Sequence, residues 1–149
     1  MTGFRVRLET VVDIEADPDR VWEVLTDFEA YGQWSHHLTV LGRAAVGERL
    51  QVIAAAPGQP GMRFRPRVLA AVPGQVLRWR GRLLVPGLVD GVHEFVLTPY
   101  EGGTRLVHGE SFSGLLIPFL GRLLADTDQQ FSGQNLALKR RAEQVAARQ

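Results

Sequence analysis

Apolar positions recur with a period of two at the start of the chain. Phe4, Val6, Leu8, Thr10, Val12 and Ile14 alternate with a second set that includes Arg5, Arg7, Glu9 and Asp13. This pattern predicts a β-strand with one buried face. The period then changes. Val21, Val24, Leu25 and Phe28 follow at helical spacing, and Tyr31 and Trp34 continue the apolar theme. Asp17 suits an N-cap, Pro18 suits the first helical turn, and Asp19 favours the positive end of the helix. Two short helices are therefore predicted directly after the first strand.

Short strands are predicted near residues 38–42 and 48–55, followed by the turn Pro57-Gly58-Gln59-Pro60-Gly61. Residues 62–72 and 75–85 read as a hairpin around Val72-Pro73-Gly74-Gln75. A four-residue loop sets 68 opposite 79 and 67 opposite 80. Phe64, Pro66 and Val68 then share one face with Leu77, Trp79 and Leu83, and Arg63, Arg65, Arg67, Arg78, Arg80 and Arg82 share the other. Pro66 marks an irregularity or an edge. After the break at Pro86-Gly87, residues 89–98 and 104–113 form a second hairpin around Tyr100-Glu101-Gly102-Gly103. A long helix is predicted from about Leu115, with Pro118 in its first turn. Its apolar stripe is Leu116, Leu120, Leu123, Thr127, Phe131, Leu138 and Ala142. Gly121 and Gly133 weaken this helix, and Lys139, Arg140 and Arg141 suit its C-terminal end.

Strands clustered between helices argue for an α+β fold in which the last helix covers one side of an antiparallel sheet. The opening segment Ala-Asp-Pro-Asp-Arg-Val-Trp-Glu-Val-Leu-Thr-Asp-Phe-Glu-Ala-Tyr-Gly-Gln-Trp (16–34) resembles the first helices of the START-like superfamily, also called the SRPBCC or polyketide cyclase/dehydrase superfamily. The stretch Arg-Leu-Val-His-Gly-Glu-Ser-Phe-Ser-Gly (105–114) is similar to bacterial members of the same group. The resemblance covers essentially the whole chain. It implies a helix-grip fold, a curved sheet around the C-terminal helix, and a cavity for an apolar ligand. Members differ more in activity than in fold, so the resemblance names neither ligand nor reaction.

The 149 residues suit a single domain spanning 1–149. A net charge of +1 gives no general attraction to nucleic acid, and the absence of cysteine excludes disulfide and thiolate chemistry. The N-terminus lacks the apolar stretch of a signal peptide. The longest apolar run, 114–124, contains Arg122 and is too short to span a bilayer. A cytoplasmic protein without integral membrane association is expected. The pattern leaves the oligomeric state open.

Candidate chemistry falls on the second hairpin. If 97 faces 106, then 95 faces 108 and 93 faces 110. His93, Phe95 and Leu97 then share the more apolar face with Leu106, His108, Glu110 and Phe112. A slip of one residue would separate the two histidines. His93, His108 and Glu110 in an apolar pocket could act as acid/base groups, orient a ligand, or only fix the core. The same donor types could hold a metal, but strand spacing does not set three ligands as His-Glu-x-x-His on a helix does. Members of the resembled group usually work without a metal, so neither metal nor cofactor is expected. Adjacent His36 and His37 point apart on an extended segment, with one able to reach a pocket mouth. Trp34, Phe64, Trp79, Phe95, Phe112, Phe119, Leu123 and Phe131 are candidates for the apolar wall. The six arginines form either a solvated outer face or a surface for an acidic partner.

Three functions follow. The leading one is binding of a small hydrophobic molecule, with an aromatic, polyketide-like or lipid ligand implied by the resemblance. The others are a cofactor-independent cyclase/dehydratase using His93, His108 and Glu110, and a protein-interaction module using the arginine face.

Overall fold

The computed structural model describes residues 3–55, 61–83 and 87–148. The side chains of Leu83 and Leu123 lie outside what is described, as does most of the turn read at 57–61. The fold is α+β. Strand β1 (Phe4–Ile14) leads to helix α1 (Pro18–Thr26) and a 3-10 helix at Phe28–Gln33. Strands β2 (Leu38–Leu41), β3 (Gln51–Ala54), β4 (Met62–Phe64), β5 (Arg67–Val72), β6 (Val76–Leu83), β7 (Val89–Tyr100) and β8 (Gly103–Gly114) follow, and helix α2 (Gly121–Ala147) ends the chain. Among the described residues no helix is long and apolar enough to cross a membrane.

Five strands form one antiparallel sheet in the order β1-β8-β7-β6-β5, and β2-β3-β4 form a second. Pro66 explains the division. It has no N–H to offer a ladder, and it separates β4 from β5, so Met62–Phe64 pairs with β3 rather than β6. The two sheets are still stitched together. Leu50 N–H donates to Pro66 C=O at 2.8 Å, and Val68 N–H donates to Glu48 C=O at 2.8 Å. The first hairpin has the expected pairs Val68–Trp79 and Arg67–Arg80, with an irregularity between Val68 and Ala70.

The Asp17 side chain caps α1 by accepting from Arg20 N–H at 2.8 Å. Val21, Val24 and Leu25 face inward and meet Phe28, Tyr31 and Trp34 in the core. The buried Tyr31 hydroxyl donates to Leu25 C=O, which satisfies it inside this cluster.

The last helix starts later than its apolar pattern predicts. Leu115 and Leu116 N–H groups bond to Gly87 and Leu88 C=O at 3.1 Å each, so this segment stays tied to the start of β7. A single 3-10 turn at Ile117–Phe119 takes Pro118, and the α-helix begins at Gly121. Its C-terminal half is fastened to β1: Lys139 Nζ donates to Asp13 C=O at 2.8 Å, and Glu143 accepts from Glu15 N–H at 2.8 Å. Among its described side chains, those of Phe131, Gln134, Asn135, Leu138 and Ala142 are buried.

Candidate functional site

Strands β7 and β8 pair as His93–Glu110, Phe95–His108 and Leu97–Leu106. Every second residue therefore faces α2, and both histidines lie on that face. His93 is 6 % exposed and His108 only 1 %. The His108 ring is held between two phenyl rings, stacked on Phe95 at 4.3 Å and on Phe131 at 4.1 Å between centroids. His93 stacks on Trp79 at 4.9 Å.

The polar atoms form one continuous string. Glu110 Oε1 lies 2.8 Å from His93 Nδ1. His93 Nε2 lies 2.7 Å from His108 Nε2. His108 Nδ1 lies 2.7 Å from Asn135 Oδ1 on α2, and Asn135 Nδ2 donates to Thr10 Oγ1 on β1 at 2.7 Å. Thr10 in turn donates its hydroxyl proton to His108 C=O at 3.1 Å.

Hydrogen-bond bookkeeping then assigns protons along the string. The Thr10 hydroxyl has one proton and gives it to the carbonyl, so its oxygen accepts the Asn135 N–H. Asn135 Oδ1 must therefore accept, and His108 Nδ1 carries a hydrogen. Burial holds the His108 imidazole well below its ordinary pKa, the charge of His93 acts in the same direction, and the Asn135 bond opposes them only in part. A neutral His108 with hydrogen on Nδ1 accepts at Nε2, so His93 Nε2 donates. One proton then remains between His93 Nδ1 and Glu110, at the end of the string farthest from Asn135.

That end borders a cavity of about 760 Å³ between the sheet and α2. Phe64, Trp79, His93, His108, Glu110, Phe112 and Phe131 all line it, with Leu120, Leu124 and Gln134 from the segment after β8. Three other candidates are placed elsewhere. Trp34, at the C-cap of the 3-10 helix, packs at 4.7 Å from Tyr31 in the core with Val21, Val24 and Leu25 of α1. Phe95 lies behind His108, shielded by that ring from the cavity. Phe119 sits on the 3-10 turn outside α2 and is 80 % exposed. Leu123 is outside the described side chains. His37 reaches the cavity wall, while His36 is exposed.

Among the described residues no group of three or more His, Cys, Asp or Glu is arranged to hold a metal ion. Both nitrogens of each buried histidine are already engaged by other side chains.

The model of the family described as polyketide cyclase / dehydrase and lipid transport matches residues 5–143. The chain belongs to this family. Solved structures agree with this membership at the level of the fold. Protein MLL2253 from Mesorhizobium loti is 24 % identical, with a TM-score of 0.70 over 91 % of this chain and 95 % of its own. The Zhui aromatase/cyclase from Streptomyces sp. R1128 is 18 % identical, with a TM-score of 0.74 over 94 % of each chain. Protein CV1439 from Chromobacterium violaceum is 28 % identical, with a TM-score of 0.65 over 93 % of this chain and 96 % of its own. No curated protein matches the chain.

Within this family framework, four polar-site residues escape a reading of the hairpin alone. Asn135 and Gln134 lie four and three residues after Phe131, so they fall on the buried stripe of α2. A polar residue on such a stripe is informative, and this was the available signal. Thr10 lies on the inward row of β1. Gly91 has no side-chain signal, but a Cβ there would collide with Glu110 Oε2.

Proposed function

We propose that the protein binds a small hydrophobic molecule in the cavity between sheet and α2, and that the Glu110–His93 pair exchanges a proton with it. This is acid/base chemistry of the cyclase/dehydratase kind, performed without a cofactor. The observation that supports it is the single proton left at the cavity end of an otherwise fully assigned string. A network that only fixed the core would need no ionisable carboxyl at its open end, because Asn135 and Thr10 already orient His108.

The roles follow from position. Glu110, with its side chain 18 % exposed, is the member that meets the ligand. In one state Glu110 is a neutral acid donating to His93 Nδ1. In the other it is a carboxylate accepting from a His93 imidazolium. The first delivers a proton to a carbonyl or hydroxyl oxygen, and the second takes one from an acidic carbon. His108 is a positioning residue, since its neutral Nε2 holds the His93 ring in one orientation. Trp79, Phe112 and Phe131 supply flat apolar surface, which suits an aromatic or polyketide-like ring.

The test uses 2-tetralone, a bicyclic ketone, and follows deuterium uptake beside its carbonyl by NMR, with Nile red as a neutral probe of cavity binding. Glu110→Gln should slow exchange by at least about 100-fold and leave Nile red affinity within about twofold. Leu124→Trp, which fills the cavity from the helix side, should weaken Nile red at least about tenfold. Wild-type exchange no faster than buffer would leave a binder without this chemistry. Undiminished Nile red binding by a folded Leu124→Trp chain would remove the cavity reading itself.

A further inference from the structure

Charges on the outer face of the large sheet are matched across most of its width. Asp13 holds Arg105 at 2.8 and 3.0 Å. Glu94 takes both Arg7 at 2.7 Å and Arg78 at 3.0 Å, and Asp90 lies 3.6 Å from Arg82. Between these last two rows the matching stops. Arg49 bridges to Arg67, Arg67 pairs with Arg80, and the next residue across, on β7, is Val92. Three arginines thus stand side by side, Arg67 and Arg80 on adjoining strands and Arg49 at an isolated bridge beside them, where the neighbouring rows carry arginine–carboxylate pairs. Among the described residues, none of Arg49, Arg65, Arg67 and Arg80 makes an ion pair with a carboxylate.

Like charges directly opposite one another destabilise a sheet. A solvated face with no further role has no need of this arrangement, because one acidic residue at position 92 would relieve it. The shape of the surface points the same way. These four arginines, with Arg82 and Leu69, line a recess of about 240 Å³. Leu69 is the residue at the irregularity of β5, where the register with β6 shifts between Val68 and Ala70. Two of the arginines are held in place by backbone: Arg49 Nη1 donates to Arg65 C=O at 2.9 Å, and Arg67 Nη1 donates to Gly47 C=O at 3.2 Å. Guanidinium groups present paired N–H donors that match phosphate oxygens. A recess of this size suits a small multivalent anion better than the flat surface of a macromolecule.

We propose that this recess binds a phosphate group, free or carried by a small organic molecule, through Arg49, Arg65, Arg67 and Arg80. The site is independent of the proton-exchange reading, since it lies on the other face of the sheet. Arg82, which also borders the cavity, is left out of the test.

The full chain is titrated calorimetrically with inorganic phosphate, inorganic diphosphate and phenyl phosphate, at an ionic strength fixed with potassium chloride. The wild type should bind diphosphate saturably. Arg80→Gln and Arg65→Gln should each weaken it at least tenfold and leave Nile red affinity within twofold. Neither side chain makes a hydrogen bond or ion pair among the described residues, so these variants remove no polar contact of the fold. Tighter binding of phenyl phosphate than of inorganic phosphate identifies an esterified ligand, the reverse identifies a free anion, and both support the site. No saturable heat with any of the three anions overturns it, as do two variants that bind diphosphate as the wild type does. Binding to phosphatidylglycerol vesicles or to polyglutamate without a response to the three phosphates assigns the face to a macromolecular surface and also overturns it.

Discussion

Glu110 occupies the space that Gly91 leaves by having no side chain: a Cβ on Gly91 would run into Oε2 of the carboxylate. Gly91 lies on β7 two residues before His93, on the same face. The missing side chain is therefore what lets the carboxylate reach His93 Nδ1. Gly91→Ala should push Glu110 aside without opening the core. We expect at least about a tenfold loss of 2-tetralone exchange with Nile red affinity within about twofold. Exchange at the wild-type rate would mean that Glu110 does not depend on this space.

Stability should fall in mild acid because of His108. Its folded pKa is held well below the ordinary value by burial first and by His93 second. An unfolded histidine titrates near pH 6.5, so below that pH the unfolded chain binds the extra proton. The contribution of His108 is thus complete above about pH 6.5 and is lost as pH falls toward the folded value. Urea unfolding between pH 7.5 and 5.5 should show stability rising with pH, and His108→Gln should flatten that slope. An unchanged slope would contradict a neutral buried His108. Glu94 and Glu143 act at lower pH. Burial pushes each of them up, but their bonds to Arg78 and Arg7, and to Glu15 N–H and Lys139, outweigh it. Their share is present above the usual carboxylate range and is lost as pH falls through it.

Gly133 makes room for His37. A Cβ at Gly133 would lie 2.8 Å from His37 Nε2 and 3.2 Å from Cδ2. A glycine inside a helix costs about 1 kcal/mol relative to alanine. We expect Gly133→Ala to stabilise the chain by about that amount when His37 is also alanine, and by clearly less in the wild-type background. A double-mutant cycle in urea reads the difference. Additivity within about 0.3 kcal/mol would show that the imidazole moves aside at no cost.

Periodicity exposed the strands, the capped first helix and the register of the second hairpin, because each buried face repeats an apolar residue at fixed spacing. It could not place the end of that pattern correctly at residue 115, where apolar residues continue but backbone bonds to Gly87 and Leu88 delay the helix. His93, His108 and Glu110 were legible as one group because a tight turn fixes hairpin register. Asn135 and Thr10 were not joined to them, because their pairing depends on how α2 lies across the sheet. Aromatic identity alone did not separate wall from core. Trp34, Phe95 and Phe119 satisfy the same preference as Phe112 and Phe131, and only the three-dimensional path of the chain sorts them.

The hydrogen-bonded string joins side chains far apart in sequence, from Thr10 on the first strand to Asn135 on the last helix. Its geometry is thereby tied to a contact that closes a loop of 125 residues. Any state in which α2 has left the sheet has lost Asn135 and the Phe131 ring together, and with them a hydrogen bond and a stacking partner of His108. In such a state the Glu110–His93 pair of the β7–β8 hairpin has lost the α2 half of the string that fixes His108. The complete string, from Glu110 to Thr10, comes into being only when β1 and α2 have met on the sheet.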